Sequence, residues 1–306
     1  MATDPFAPPL DRSKPVHHWY TDSEQFRLKV QRFTAVPPEI TIQRVAFDSD
    51  VQRYEHAYHS GQSSCFRSPS RTRPDPGAER SPEAVERSQR RAKTGVRLAV
   101  VELAPTALVT FTTRAVLTLD ELLWCWGHFT RSMRRAAFDF EYVAVPERHP
   151  KNPEHLHLHV AYRGRTPFAV LRRLWHVALE ALRGRRVTCI LRGPESPGNI
   201  DVQTVKSRDT LKRVRKIARY ISKYITKDLI AEFNRRRYWP SKGVNVRDAQ
   251  VFWLEGLTAA DAIREACILV GEWDHANDMP TQRFFRPSDR VCWFAVDPEA
   301  TPPPPF

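Results

Sequence analysis

No run of about 18 consecutive apolar residues occurs in the chain, so no membrane-spanning helix is expected. The N-terminal stretch MATDPFAPPLDRSKP has no apolar run of the kind a secretion signal needs, which predicts a cytoplasmic protein with no membrane partner. Cysteine is scarce. The five present, Cys65, Cys125, Cys189, Cys267 and Cys292, are odd in number, widely spaced and form no C-x-x-C pair. That excludes a disulfide framework and a cysteine-based zinc site, leaving reduced thiols. There is no internal repeat and no G-x-x-x-x-G-K-[ST] phosphate loop, the nearest string being Pro240-Ser-Lys-Gly243, so a built-in ATP-driven motor is excluded. Negative charge is also in short supply: 35 Asp+Glu face 48 Lys+Arg, a net charge of +13, which favours a polyanionic partner.

What is present is enough for a packed core. The 306 residues are 41% hydrophobic and 27% charged, sufficient for one large or two small domains. Prolines crowd the start of the chain, the region of Pro69 to Pro82 and the end at Pro302 to Pro305, so both ends are expected to be poorly ordered. The organisation predicted is an N-terminal extension over 1–66, partly ordered, and a basic Pro/Ser-rich linker over 67–95. A folded domain follows over 96–240, then a C-terminal extension over 241–306 with one helix and a disordered Pro-rich tail.

Within the folded part, VRLAVVELAPTALVTFTTRAV holds two β-rich runs, of which 107–113 reads as a buried strand. Thr118-Leu-Asp-Glu121 has capping-box spacing and opens an amphipathic helix over 119–136. Residues 138–147 and 154–164 read as strands, and Thr166-Pro167 starts a helix that runs to about Leu182 with Gly184 as its stop. Val187 to Leu191 and Ile200 to Val205 are further strand candidates. A long helix is expected over 209–233 and another over 258–270, capped by Thr258 and ended by Gly271. Successive strands without a crossover favour an α+β fold with an antiparallel sheet.

His155, His157 and His159 occupy alternate positions of the 154–164 strand, so their imidazoles share one face while Leu156, Leu158 and Val160 point into the core. Adjacent imidazoles can hold a cation, and a carboxylate is the natural third ligand for a metal that must also bind phosphate oxygen. Glu147, at the end of the preceding strand, is the first candidate if HPKNP forms the hairpin turn; Glu154 ranks lower because it should face the other way. On the long helix, Tyr220 and Tyr224 stand four residues apart, as do Lys223 and Lys227, beside a core-facing stripe of Ile217, Ile221 and Ile225. From Lys206 to Lys227 nine cationic side chains face Asp209 alone. Such a face repels itself unless a polyanion lies on it, so Lys212, Arg213, Arg215, Lys216, Arg219 and Lys227 are candidate nucleic-acid contacts. A phenol is a poor nucleophile near neutral pH, but nearby lysines are expected to favour the phenolate and a metal to polarise a phosphodiester. Attack by the phenol would give a covalent phosphotyrosine that keeps the bond energy for resealing without ATP.

The strings TALVTFTTR, HLHLHV and YISKYITK, in that order and followed by RRRYWPSKG, resemble the HUH endonucleases, specifically the two-tyrosine rolling-circle replication initiators of bacterial plasmids and single-stranded-DNA phages. The resemblance implies a ferredoxin-like HUH core over 96–240, with a central antiparallel sheet flanked by helices. It implies His157, His159 and Glu147 as ligands of Mg²⁺ or Mn²⁺, Tyr220 and Tyr224 as nucleophiles, and Lys223 as the cation that positions phosphate. Its implied setting is the cytoplasm of a bacterial host cell, with single-stranded origin DNA as substrate and a host helicase and polymerase as partners. Competing readings are an HUH relaxase or transposase, and a non-catalytic DNA-binding protein whose histidines hold a structural zinc.

Overall fold

The computed structural model describes residues 25–45, 81–204, 210–226, 236–254, 262, 265–266, 281–286 and 291–296. In chain order they form β1 (Gln25–Gln31), β2 (Glu39–Val45), α1 (Pro82–Leu103), β3 (Ala107–Thr113), α2 (Leu119–Arg135), β4 (Glu141–Arg148) and β5 (Leu156–Arg163). There follow α3 (Phe168–Leu182), β6 (Gly198–Gln203), α4 (Thr210–Ser222), β7 (Trp239–Pro240), β8 (Gln250–Leu254), β9 (Thr281–Arg286) and β10 (Val291–Val296). The fold is mixed α+β with two antiparallel sheets, and the chain divides into two units.

One unit contains Thr34–Val36 and Asp75–Val246. Its sheet runs β6-β3-β5-β4-β7, and the order β3-α2-β4-β5-α3-β6 places the fourth of these strands beside the first, then the third, then the second. Helices α2 and α3 pack against each other on one face. Val109 and Phe111 of β3 and Leu156, Leu158 and Val160 of β5 point at them, in a cluster with Leu122, Trp126, Phe129 and Trp175. Phe111 meets Trp126, Phe129 and Trp175 edge-on, with ring centroids 5.3, 5.1 and 5.2 Å away. Edge-to-face packing suits the ring quadrupoles and adds to the burial of four large side chains. The capping box of α2 is present: Thr118 Oγ1 accepts from the Glu121 amide at 3.2 Å, and the Thr118 amide donates to Glu121 Oε2 at 2.7 Å. Helices α1 and α4 pack together and against β4 and β5, through Val96, Ala99 and Val100 on α1 and Leu211, Val214, Ile217, Ala218 and Ile221 on α4.

The linker expected over 67–95 is overturned where the structure describes it. Residues 82–95 are helical, started by Pro82 and by Ser81, whose Oγ accepts from the Ala84 amide at 3.3 Å. The following run at 96–103, read as β-rich, continues this helix. An apolar run without alternation does not distinguish strand from buried helix, and here burial against α4 decides. Gly95 has a packing role, since a Cβ there would lie 2.7 Å from the Tyr238 hydroxyl. Val187 to Leu191 is not a strand. The Leu191 amide donates instead to Nδ1 of the buried His176 at 3.2 Å, and His176 Nε2 contacts the Gly198 carbonyl at 3.0 Å. Helix α3 begins at Phe168, one residue after the expected start, and Gly184 beyond its end has φ +71°. The long helix expected over 209–233 is α-helical over Thr210–Ser222 and tightens to a 3-10 turn at Lys223–Thr226. Residue 209 and the expected continuation over 227–233 lie outside the described residues.

The other unit holds the sheet β8-β1-β2-β10-β9. All neighbours are antiparallel, with Phe26 opposite Leu254 and Ile42 opposite Cys292. Phe26, Leu28, Val30, Ile40 and Ile42 form its core with Ala262 and Ala266. Two separate extensions at the chain ends were expected; strands from both ends instead share one sheet. In the helix expected over 258–270 the described residues Ala262, Glu265 and Ala266 are helical, while its cap and stop, and the Pro-rich tail, lie outside the described residues. Among the described residues no helix is long and apolar enough to cross a membrane.

Candidate active site

Strand register builds the site. β4 and β5 pair so that Glu147 stands opposite His157 and Val145 opposite His159; β3 pairs Thr110 with His159. Because strand side chains alternate, Thr110, Glu147, His157 and His159 share the sheet face that α1 and α4 cover. HPKNP forms the turn, where the His149 amide donates to the His155 carbonyl at 2.8 Å. The hairpin thus selects Glu147, while Glu154 is exposed in the turn.

His159 is only 6% exposed and Glu147 only 3%. Nε2 of His159 lies 2.8 Å from Glu147 Oε2, and Nδ1 lies 3.2 Å from Thr110 Oγ1. A carboxylate oxygen accepts, so Nε2 is the nitrogen that donates, and the ring is oriented from both ends. The Tyr224 ring lies flat on this imidazole, with centroids 4.0 Å apart and planes 4° from parallel. Tyr220 meets Tyr224 edge-on at 5.1 Å and remains 37% exposed. His157 sits beside them, its ring 6.4 Å from His159 and 4.8 Å from His149. Among the residues expected to act, Tyr220, Tyr224, His157, His159 and Glu147 therefore come together.

Burial pulls His157 down to about 4, reinforced by His149 and His159, with Glu147 opposing and His155 adding a little. Its imidazole is consequently neutral near pH 7, the form that binds metals. Burial pushes the Tyr224 phenol above the ordinary range, and its hydrogen bond with Tyr220 and the charges of Tyr220 and Glu147 push the same way. This corrects the expectation that lysines favour the phenolate. Lys223, Lys216 and Lys212 are exposed to solvent, whereas the groups that act on Tyr224 are a second phenol and a carboxylate.

Arg219 is exposed, and Arg213 and Arg215 are half-buried, so five of the six expected nucleic-acid contacts line α4. The sixth, Lys227, lies outside the described residues. His155 is half-buried just before β5 begins. Thr110 and His149 belong to the site yet were not singled out from the sequence. Alternation in VTFTT, with Phe111 inward, was the signal for Thr110; for His149 it was the position at the mouth of the turn.

Among the described residues no group of three or more His, Cys, Asp or Glu side chains stands arranged around an ion position. The donor set nevertheless fits a divalent cation in kind, with two imidazoles and a carboxylate on one face. Comparison with protein-family models, with curated proteins and with solved structures returned no match for the chain.

Proposed function

We propose that the protein is an HUH-type rolling-circle replication initiator that nicks and rejoins single-stranded DNA through a 5′-phosphotyrosine. The observation that carries this reading is the Tyr224 ring stacked on His159, whose Nε2 is bonded to Glu147. A phenol, two imidazoles and a carboxylate gathered in one cluster suit phosphodiester transfer better than DNA binding alone. The strand order of the β3-to-β6 sheet supports a ferredoxin-like core. The cationic outer face of α4, next to the tyrosines, supports a nucleic-acid strand as substrate.

His157, His159 and Glu147 would hold Mg²⁺ or Mn²⁺, which when bound supplies a Lewis acid for the scissile phosphate. Thr110 orients His159, and Tyr220 or Tyr224 attacks phosphorus. As the tyrosine O–P bond forms, the phenol loses its proton and the P–O3′ bond breaks, and the departing 3′ oxygen takes up a proton. The reverse attack by a 3′ hydroxyl reseals the strand and frees the phenol. Lys212, Lys216 and Arg219 hold the strand, and Lys223 positions phosphate. Origin DNA is the substrate, and a host helicase and polymerase would complete the work, since the chain carries no phosphate-loop motor.

The test uses the full chain, Mn²⁺ and single-stranded oligonucleotides tiling the DNA that flanks its coding sequence. A covalent adduct on the 5′ side of a cut is expected. Tyr220→Phe with Tyr224→Phe should abolish the adduct and leave strand binding within about twofold; an adduct of wild-type yield from the double variant refutes the reading.

A further inference from the structure

The turn between β4 and β5 holds an imidazole that neither the metal set nor the nucleophiles use. Nδ1 of His149 accepts from the Lys151 amide at 3.3 Å and from the Asn152 amide at 3.1 Å. Pro150 and Pro153 have no amide hydrogen, so in His-Pro-Lys-Asn-Pro the two amides between the prolines are both directed onto this ring. The turn closes through the His149 amide on the His155 carbonyl and the His155 amide on the Asn152 carbonyl, at 2.8 and 2.9 Å. Arg148 adds a bond to the Pro153 carbonyl at 3.0 Å.

A nitrogen that accepts from two amides carries no hydrogen, so the ring hydrogen sits on Nε2. Neither nitrogen then offers a lone pair to a cation: two backbone amides, which can only donate, hold Nδ1 as an acceptor and keep the hydrogen on Nε2. The Thr110 hydroxyl on Nδ1 of His159, by contrast, can also accept and so lets that ring free its Nε2 for a cation. Yet the His149 ring is half-buried and edge-to-face with His157 at 4.8 Å, and exposed Arg148 and Lys151 flank it in the chain. A fixed N–H donor among cations, one ring away from the ligand pair, is suited to an anionic oxygen.

We propose that His149 donates from Nε2 to a non-bridging oxygen of the bound phosphodiester and is not a further metal ligand. This rests on the nicking reading above and assigns a substrate-binding residue to the same site. Two substitutions separate the two ring nitrogens. His149→Asn keeps an acceptor for the Lys151 and Asn152 amides and removes the outer donor; His149→Gln keeps an amide N–H near the Nε2 position. With His149→Asn, Mn²⁺ affinity by titration calorimetry should stay within twofold of wild type. Adduct formation at saturating Mn²⁺ should slow about tenfold, the size expected for losing a hydrogen bond to a charged group, and half-saturation by oligonucleotide should shift upward. His149→Gln should recover most of that rate. Long-range ¹⁵N correlation of the wild-type chain should place the His149 ring hydrogen on Nε2.

A ring hydrogen on Nδ1, an Asn variant that binds Mn²⁺ tenfold more weakly, or an Asn variant that forms adduct at the wild-type rate each overturns the inference. A wild-type chain that forms no adduct overturns the nicking reading and this inference with it. A wild-type adduct that the Asn variant matches overturns this inference alone.

Discussion

Thr110→Val isolates the hydroxyl that orients His159 with little change of shape, and valine suits a strand. The bond removed is neutral, 3.2 Å long and partly buried, so its loss costs about 1 kcal/mol, with more if Nδ1 is left without a partner. For a unit the size of residues 75–246 that corresponds to a fall in melting temperature of about 2–4 °C. The larger effect is expected at the ligand set. Partners of a metal-ligating histidine typically carry about 10–100-fold in metal affinity, because they set which nitrogen donates and how the ring is turned. Titration calorimetry should therefore show Mn²⁺ binding weakened at least about tenfold, with adduct formation restored as Mn²⁺ is raised. The reasoning is refuted if the melting temperature drops while Mn²⁺ affinity stays within twofold, for then Thr110 supports the sheet and nothing more.

Phe111→Ala removes the ring that three aromatic neighbours pack on and should lower the urea-derived unfolding free energy by about 3–5 kcal/mol; a loss under 1 kcal/mol would mean that the cluster collapses around the gap. His157 is held down to about 4 in the folded chain, below the ordinary imidazole value near 6.5, so the unfolded chain binds more protons between those pH values. Its contribution to stability is full above about 6.5 and lost as pH falls toward 4, and His157→Gln should flatten that slope in melts taken across the window. An unchanged slope assigns the acid sensitivity to other groups. Replacing Lys212 and Lys216 together by Ala should weaken single-strand binding for every sequence alike and lower the salt slope by about 0.7 for each phosphate no longer neutralised; an unchanged slope places the strand elsewhere.

Elements with local signals were legible. The capping box at Thr118, helical spacing through α2, and the alternation in HLHLHV each depend on residues a few positions apart, and the structure keeps them. Helix α1 was obscured because its first half buries little: Ala84, Val85, Ser88 and Ala92 are at most half-buried, and the fully buried residues begin at Val96. The sheet of β1, β2, β8, β9 and β10 was obscured for the opposite reason. Phe26-Arg-Leu-Lys-Val30 alternates plainly, but its partner Leu254 lies near the other end of the chain, and no local pattern announces such a pairing. At Val187 to Leu191, β-branched propensity gave way to tertiary context, since a buried histidine claims the amide that a strand would need.

In the site, face was legible and electrostatics were not. A period of two puts His157 and His159 on one side, and the register across HPKNP then favours Glu147 over Glu154 with no further information. Charge counted along a sequence, by contrast, says nothing of distance or solvent. Nine cations near Tyr224 in sequence suggest an ionised phenol, but the exposed ones act through water, where a unit charge 4 Å away is worth only about 1 kcal/mol. The phenol itself lies against His159, in reach of Glu147 and hydrogen-bonded to Tyr220, so desolvation and negative charge dominate. On the proposed reading the lysines of α4 would hold a strand, while the proton of Tyr224 answers to burial first, then to Tyr220 and Glu147.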